Sequence, residues 1–242
     1  MEMGKPLSEL PMLSKKFGSD YFKRLYRDSG DRNSPGKIET YLRLIRRYTY
    51  ENQQRPGLPT EGRALSSKER RPILLDIGCG YGRFLKAAEK DFETYGIDPS
   101  FFVIDKASEY ATKTKFETAS VFSYRPKKLF DVITCLDVLE HVSDVEKSVL
   151  KIKTWLKSGG IFFCVVPVYD GPLGWIAGKL DRDETHINKW SRDRWLGLLA
   201  KHFKVITTWG AFRYSFGRFG YFHLAGPGLA RWGQAILAVM QK

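Results

Sequence analysis

Apolar positions follow two rhythms along the chain. Ile38, Tyr41, Leu42, Ile45 and Tyr48 recur at spacings of three and four, which puts them on one side of a helix opened by Ser34-Pro35. The opposite side carries Arg43, Arg46 and Arg47. From Pro72 onward, short apolar runs alternate with such helical stripes. Ile73 to Ile77 predicts one buried strand, and Arg83 to Ala88 a helix directly after it. Further strands are expected at Thr94–Ile97, Lys115–Thr118, Asp131–Asp137, Ile161–Val166, Val205–Trp209 and Gln234–Met240. Between the fourth and fifth, Ser143-Asp144-Val145-Glu146 reads as a capping box. Its helix would bury Val145, Val149, Ile152, Trp155 and Leu156, and end at Ser158-Gly159-Gly160. Ser191 reads as the cap of a helix that turns Trp195, Leu198 and Leu199 inward. Strand and helix in alternation predict an α/β fold around a parallel sheet.

Composition narrows the classes. The chain has 242 residues, of which 43% are hydrophobic, enough for one domain with a substantial core. The domain is expected over residues 72–242, with a substrate-closing insertion near 168–190. Residues 1–71 would form a linker and either a helical cap over the mouth of the sheet or a helix packed on the sheet away from it; Gln53 to Arg71 reads as loop. Aromatics at Phe17, Tyr21, Phe22 and Tyr26 suit either a substrate mouth or plain core. Three cysteines, Cys79, Cys135 and Cys164, fall in or beside core strands with no metal-knuckle spacing, so reduced thiols and a cytoplasmic setting are expected. The longest apolar run, Ile161 to Val168, is far short of a membrane span, and no apolar leader opens the chain. The net charge of +13 favours an anionic partner or simple solubility, without choosing among nucleic acid, membrane surface and acidic metabolite. From Lys201 to the end there are six basic and no acidic residues, interleaved with Phe212, Tyr214, Phe216, Phe219, Tyr221 and Phe222.

The chemistry gathers around Asp76-Ile-Gly-Cys-Gly-Tyr-Gly82. A strand, a glycine turn and a helix in that order open a nucleotide site in doubly wound folds. A dinucleotide fingerprint would need its third glycine at 83, where Arg83 stands, and no Walker Gly-Lys-Ser/Thr follows. Asp98, at the end of the second strand and 18 residues beyond Gly80, occupies the place of the acid that accepts ribose hydroxyls.

The pattern Asp-x-Gly-Cys-Gly-x-Gly, with Asp98 and the run from Asp137 through Leu156-Lys-x-Gly-Gly160, resembles the class I S-adenosylmethionine (SAM) methyltransferases over about residues 72–168. That resemblance implies a seven-stranded, mostly parallel sheet with an antiparallel last strand. It also implies SAM bound by Asp76, Gly78, Cys79, Gly80, Gly82, Asp98, Pro99, Ser120, Val121 and Asp137. Such enzymes often place an Asp after the third strand for the adenine amine. Here that position is Ala119, which leaves backbone groups, the Ser120 hydroxyl and Val121 to hold the base.

Asp137-x-x-Glu140-His141 is the sharpest catalytic cluster, since residues three and four apart share a face if the chain turns helically. It resembles quinone-biosynthesis O-methyltransferases and small-RNA 2′-O-methyltransferases, which implies a divalent metal such as Mg held by Asp137, Glu140 and His141. The other reading has Asp137 contact the SAM tail, Glu140 support the loop and His141 pack over the cofactor. Thr185-His186 resembles the downstream element of the same enzymes, so His141 and His186 are the candidate catalytic residues. His186 as base, ligand or loop anchor stays open. The expected activity is methyl transfer to a hydroxyl of a small, lipophilic or anionic molecule. An RNA hydroxyl is the alternative acceptor, and a non-catalytic SAM-binding or peripheral membrane-surface protein a further one.

Overall fold

The computed structural model describes residues 16–28, 34–51, 70–181, 183–215 and 221–242. Most of the 53–71 loop, and Phe216 and Phe219, lie outside the described residues, as does the Tyr26 side chain. The elements run α1 (Ser19–Asp28), α2 (Pro35–Glu51), β1 (Ile73–Ile77), α3 (Arg83–Ala88), β2 (Glu93–Asp98), α4 (Phe101–Tyr110), β3 (Lys115–Thr118) and β4 (Phe130–Leu136). They continue through a 3₁₀ turn (Leu139–His141), α5 (Val145–Trp155), β5 (Leu156–Pro167), α6 (Gly171–Leu180), α7 (Arg192–His202), β6 (Lys204–Ser215), β7 (Tyr221–Gly226) and β8 (Ala235–Gln241).

All eight strands form one sheet in the order β3-β2-β1-β4-β5-β8-β6-β7. The five from β3 to β5 are parallel, and β8 runs antiparallel to both β5 and β6. The doubly wound sheet with an antiparallel closing strand is therefore present. The basic aromatic tail adds one strand to the seven expected: β6 extends to Ser215 and β7 pairs back on it, Arg213 opposite His223. An alternating aromatic segment suits such a ribbon.

The sheet separates two cores. On one side α5 and α7 bury Val149, Ile152, Trp195 and Leu199 against β4 and β5. On the other, α2 lays Tyr41, Leu42, Leu44 and Ile45 over β4, β5 and the β6–β7 ribbon. The stripe read from sequence thus packs α2 along a sheet face. The mouth of the sheet is covered instead by Phe17 and by α1, through Tyr21 and Phe22. At the amino edge Asp131 accepts from the Ile73 N–H at 2.9 Å and from Lys157 Nζ at 2.7 Å, which fastens β1, β4 and β5 together.

Two local expectations are corrected. The cap of α5 is Asp144, whose side chain accepts from the Lys147 N–H, and not Ser143; Glu146 pairs with Lys201 and His202. The helix ends at Trp155 rather than at the Gly-Gly pair, because Leu156 already pairs with Phe130 of β4.

Gly210 on β6 is a point of closest approach: a Cβ there would stand 1.8 Å from the Leu229 carbonyl oxygen. Backbone cannot give way as a side-chain tip can. Gly210→Ala is expected to lower unfolding free energy by roughly 2–4 kcal/mol in urea denaturation.

Candidate active site

The carboxyl edge of β1 is built by three left-handed glycines. Gly78, Gly80 and Gly82 have φ of 71°, 51° and 70°, a region that L side chains rarely adopt. The turn is tied down by its own amides. The Gly78 and Cys79 N–H groups both donate to the Ile97 carbonyl, at 2.8 and 3.1 Å. The Gly80 N–H donates to Asp98 Oδ2 at 3.1 Å, and the Ser100 N–H to Asp98 Oδ1 at 2.9 Å. A Cβ on Gly78 would lie 2.4 Å from Val138. Gly82 acts differently from the other two: it closes α3 against Ala107 and Phe116 and does not line the cavity.

Above this turn lies a cavity of about 790 Å³. Of the cofactor residues named from sequence, Asp76, Gly78, Cys79, Gly80, Asp98, Pro99, Ser120, Val121 and Asp137 all line it. Asp76, inside β1, is 3% exposed and accepts from Thr134 Oγ1 at 2.6 Å across to β4. Burial raises its pKa to about 7, against that hydrogen bond. Burial likewise raises Asp98 to about 6, opposed by the Ser100 and Gly80 amides. The Ser120 hydroxyl is engaged in its own turn, accepting from the Phe122 and Ser123 N–H groups at 3.2 Å each.

The same cavity holds the acidic turn after β4. Asp137 is the one non-glycine residue with positive φ among the described residues, at 57°. Its carboxylate receives Arg213 Nη1 from β6, at 2.7 Å on Oδ2, and Lys37 Nζ from α2 at 3.5 Å. Burial pushes its pKa upward, but the guanidinium and ammonium prevail and hold it well below the carboxylate range. Glu140 has the opposite fate. It is 1% exposed, its Oε2 has no hydrogen-bond partner among the described residues, and burial beside Asp137 pushes its pKa far up.

A loop from α6 completes the site. The Ile187 and Asn188 N–H groups both donate to the Glu140 carbonyl at 3.0 Å, and Asn188 Nδ2 donates to the Leu139 and Val142 carbonyls. This staple brings His186 beside His141, with ring centres 4.7 Å apart. One ligating atom from each of Glu140, His141 and His186 lies within 4.8 Å of the others. His141 Nδ1 is 2.8 Å from Thr185 Oγ1, which in turn donates to Asp183; His186 Nδ1 is 2.7 Å from Asp181 Oδ2 and 3.0 Å from the Tyr169 hydroxyl. Burial, then the neighbouring His186, lowers the His141 pKa to about 4. Phe17 stacks edge-on against His141, and the Tyr21 hydroxyl donates to Asp183 at 3.1 Å.

The spacing in the sequence groups Asp137 with Glu140 and His141. In the structure Asp137 serves the cationic pair, and His186 takes the third place. Lys37, Arg213, Asp181, Asp183 and Asn188 were not singled out. Only the acid-rich Asp181–Glu184 run beside His186 carried a signal for any of them.

Residues 50–208 match a family described as a methyltransferase domain. The chain belongs to that family, the class I SAM-dependent methyltransferases. It is 32% identical over 93 residues to a ubiquinone biosynthesis O-methyltransferase of Rickettsia canadensis, covering 36% of this chain and 39% of that protein. It is 36% identical over 95 residues to the enzyme of the same name from Pelagibacter ubique, covering 37% and 40%. The chain thus matches about two fifths of the length of these relatives. Among solved structures it is similar to magnesium protoporphyrin IX methyltransferase of Synechocystis with bound S-adenosylhomocysteine (SAH), with a TM-score of 0.62 at 17% identity over 96% of this chain and 99% of that one. A SAM-dependent methyltransferase of Thermotoga maritima gives a TM-score of 0.64 at 15% identity, over 96% and 99%. At such identities these likenesses show the fold. No helix among the described residues is long and apolar enough to cross a membrane.

Asp98 sets a pH test. Its folded pKa is raised, so the free carboxyl protonates as pH falls through about 6, and an Asp98 that held a ribose would accept both hydroxyls only when ionised. SAH affinity measured by calorimetry should therefore rise from pH 5 to pH 8, by about tenfold, and level off above 7. Asp98→Asn should bind weakly with no such slope.

Proposed function

We propose that the protein transfers the methyl group of SAM to a hydroxyl of a small molecule. The observation that carries this reading is the single cavity, which joins the glycine turn and Asp98 to Glu140, His141 and His186. The nucleoside lies along the carboxyl edge, where ligands of open α/β sheets bind. The sulfonium end then faces the histidines. In-line transfer breaks the S–CH₃ bond and forms the O–CH₃ bond, and the sulfur leaves as a neutral thioether. What the chain supplies is alignment of the two reactants and a place for the acceptor's proton. The Nδ1 atoms of both histidines are engaged by Thr185 and Asp181, which leaves the Nε2 atoms to hold the hydroxyl and take its proton. Phe17, Tyr21, Phe22 and Ile187 furnish an apolar wall at the acceptor end, with Lys37 and Arg213 across the cavity. That lining favours a flat, partly apolar hydroxy compound, in keeping with the names of the relatives.

The same three side chains fit a divalent cation. Glu140 Oε2 is buried and unpartnered among the described residues, and each histidine has its second nitrogen oriented by a neighbour, as metal-bound histidines do. Glu140, His141 and His186 would hold the ion, and Asp137 would not, because its oxygens serve Arg213 and Lys37. A bound cation would lower the pKa of the acceptor hydroxyl.

His186→Ala is expected to cut turnover of hydroxyaromatic acceptors with labelled SAM by at least about a hundredfold, the scale of a lost acid–base group. SAH affinity should stay within about threefold, because the nucleoside contacts lie elsewhere. Transfer that survives the substitution would sink this assignment. Loss of activity on dialysis against EDTA, restored by Mg²⁺, would support the cation; indifference to EDTA would leave the histidines acting alone.

A further inference from the structure

One loop holds both imidazoles, and its hydrogen bonds leave little choice about where their protons sit. Thr185 Oγ1 stands 2.8 Å from His141 Nδ1 and also meets Asp183 Oδ1. Asp183 is the acceptor in these contacts. Its Oδ1 takes the Thr185 N–H at 3.0 Å and the Thr185 hydroxyl, and its Oδ2 takes the Tyr21 hydroxyl at 3.1 Å. A threonine hydroxyl has one proton, and an ionised carboxylate can only accept. The Thr185 proton is therefore committed to Asp183. Toward His141 the same oxygen has only lone pairs to offer, so the ring must supply the proton, from Nδ1.

His186 is held by a second acid two residues earlier. Its Nδ1 is 2.7 Å from Asp181 Oδ2 and 3.0 Å from the Tyr169 hydroxyl. The Tyr169 proton goes to Asp181 Oδ2 at 2.7 Å, so among the described residues both partners of this Nδ1 are acceptors. His186 Nε2 is 3.8 Å from Asp183 Oδ2, beyond hydrogen-bond reach. In a neutral imidazole, a proton fixed on one nitrogen leaves the other bare.

We infer that Asp183, acting through Thr185, and Asp181 are positioning residues that hold His141 and His186 in the tautomer protonated on Nδ1, each with a bare Nε2. The catalytic meaning rests on the methyl-transfer reading above, since a bare Nε2 is what takes an acceptor's proton or binds a cation. The tautomers themselves are readable without turnover.

The chain has four histidines. Long-range ¹H–¹⁵N correlation spectra of the whole ¹⁵N-histidine-labelled protein, at pH 8 without added divalent cation, distinguish the two tautomers. His141→Gln and His186→Gln assign the signals. Both rings should carry the proton on Nδ1. Thr185→Val keeps the side-chain shape and removes the hydroxyl; His141 should then populate both tautomers while His186 is unchanged. Asp183→Asn offers Thr185 a donor, frees its proton for His141 Nδ1 and should shift that ring toward the Nε2–H form. Asp181→Asn should do the same to His186. Thr185→Ser should restore the single Nδ1–H form. In labelled-SAM assays, Thr185→Val and Asp183→Asn should lower kcat at least about tenfold with KM for SAM within about threefold, the pattern of a wrong tautomer in an intact site, and Thr185→Ser should recover most of the rate. A wild-type proton on Nε2 of either ring would overturn the inference, as would a Thr185→Val spectrum that keeps His141 wholly Nδ1–H. The expected spectra with no methyl transfer to any hydroxyl acceptor would instead sink the methyl-transfer reading and leave the tautomers as assigned.

Discussion

The fold's carboxyl edge is organised by one hydrogen-bonded unit: a left-handed turn whose amides close onto the neighbouring strand. Gly78 and Cys79 share the Ile97 carbonyl, and Gly80 binds the carboxylate of the very next residue, Asp98. Strand, turn and acid thus cannot shift independently. Val138 presses on the face of Gly78 where any side chain would stand, so the end of β4 is held at the same height. The acid that would meet a ribose and the turn that carries Glu140 are positioned by one set of contacts. That is why the cavity has both ends along one edge of the sheet.

Burial then divides the carboxyl groups by what each can reach. Asp76 and Asp98 are enclosed with neutral donors, and their pKa values rise into the range about neutrality. Asp137 is enclosed with two cations and stays ionised. Among the described residues Glu140 has neither an ion-pair partner nor a donor on Oε2, and burial beside Asp137 pushes its pKa far up. A buried acid without a partner is costly, and a cation or a proton donor would relieve it. Four acids within one cavity therefore have distinct chemical characters, set by neighbours and not by residue type.

The acceptor end is assembled across long sequence separations. Asn188 threads its amide into three carbonyls of the 139–142 turn, which pins the loop carrying Asp181, Asp183 and His186. Tyr21 from α1 then closes on Asp183, and Phe17 on His141. Thr185 and Asp181 engage the Nδ1 atoms of the two imidazoles, and one ligating atom of each ring lies within 4.8 Å of Glu140. Covering the mouth from a separate segment lets the site be closed without altering the sheet.

Much of this was legible from the chain alone. Periodicity located every strand of the parallel half to within a residue or two, apart from the longer β5, because buried parallel strands must be short apolar runs. The spacing of Gly78, Gly80 and Asp98 located the glycine turn and the acid that receives its amide, because only glycine relaxes at positive φ there and the acid ends the next strand. What the chain could not show was partnership at a distance. Asp137 looks like a ligand beside Glu140 until Arg213, 76 residues away, arrives from β6. Ser120 looks like a free hydroxyl until its own turn folds back on it. The extra strand β7 and the place of α2 on the sheet face were likewise settled by what they pack against. Local sequence determines backbone rhythm, since that is a property of neighbours along the chain; which charges and hydroxyls remain available is decided only when distant elements meet.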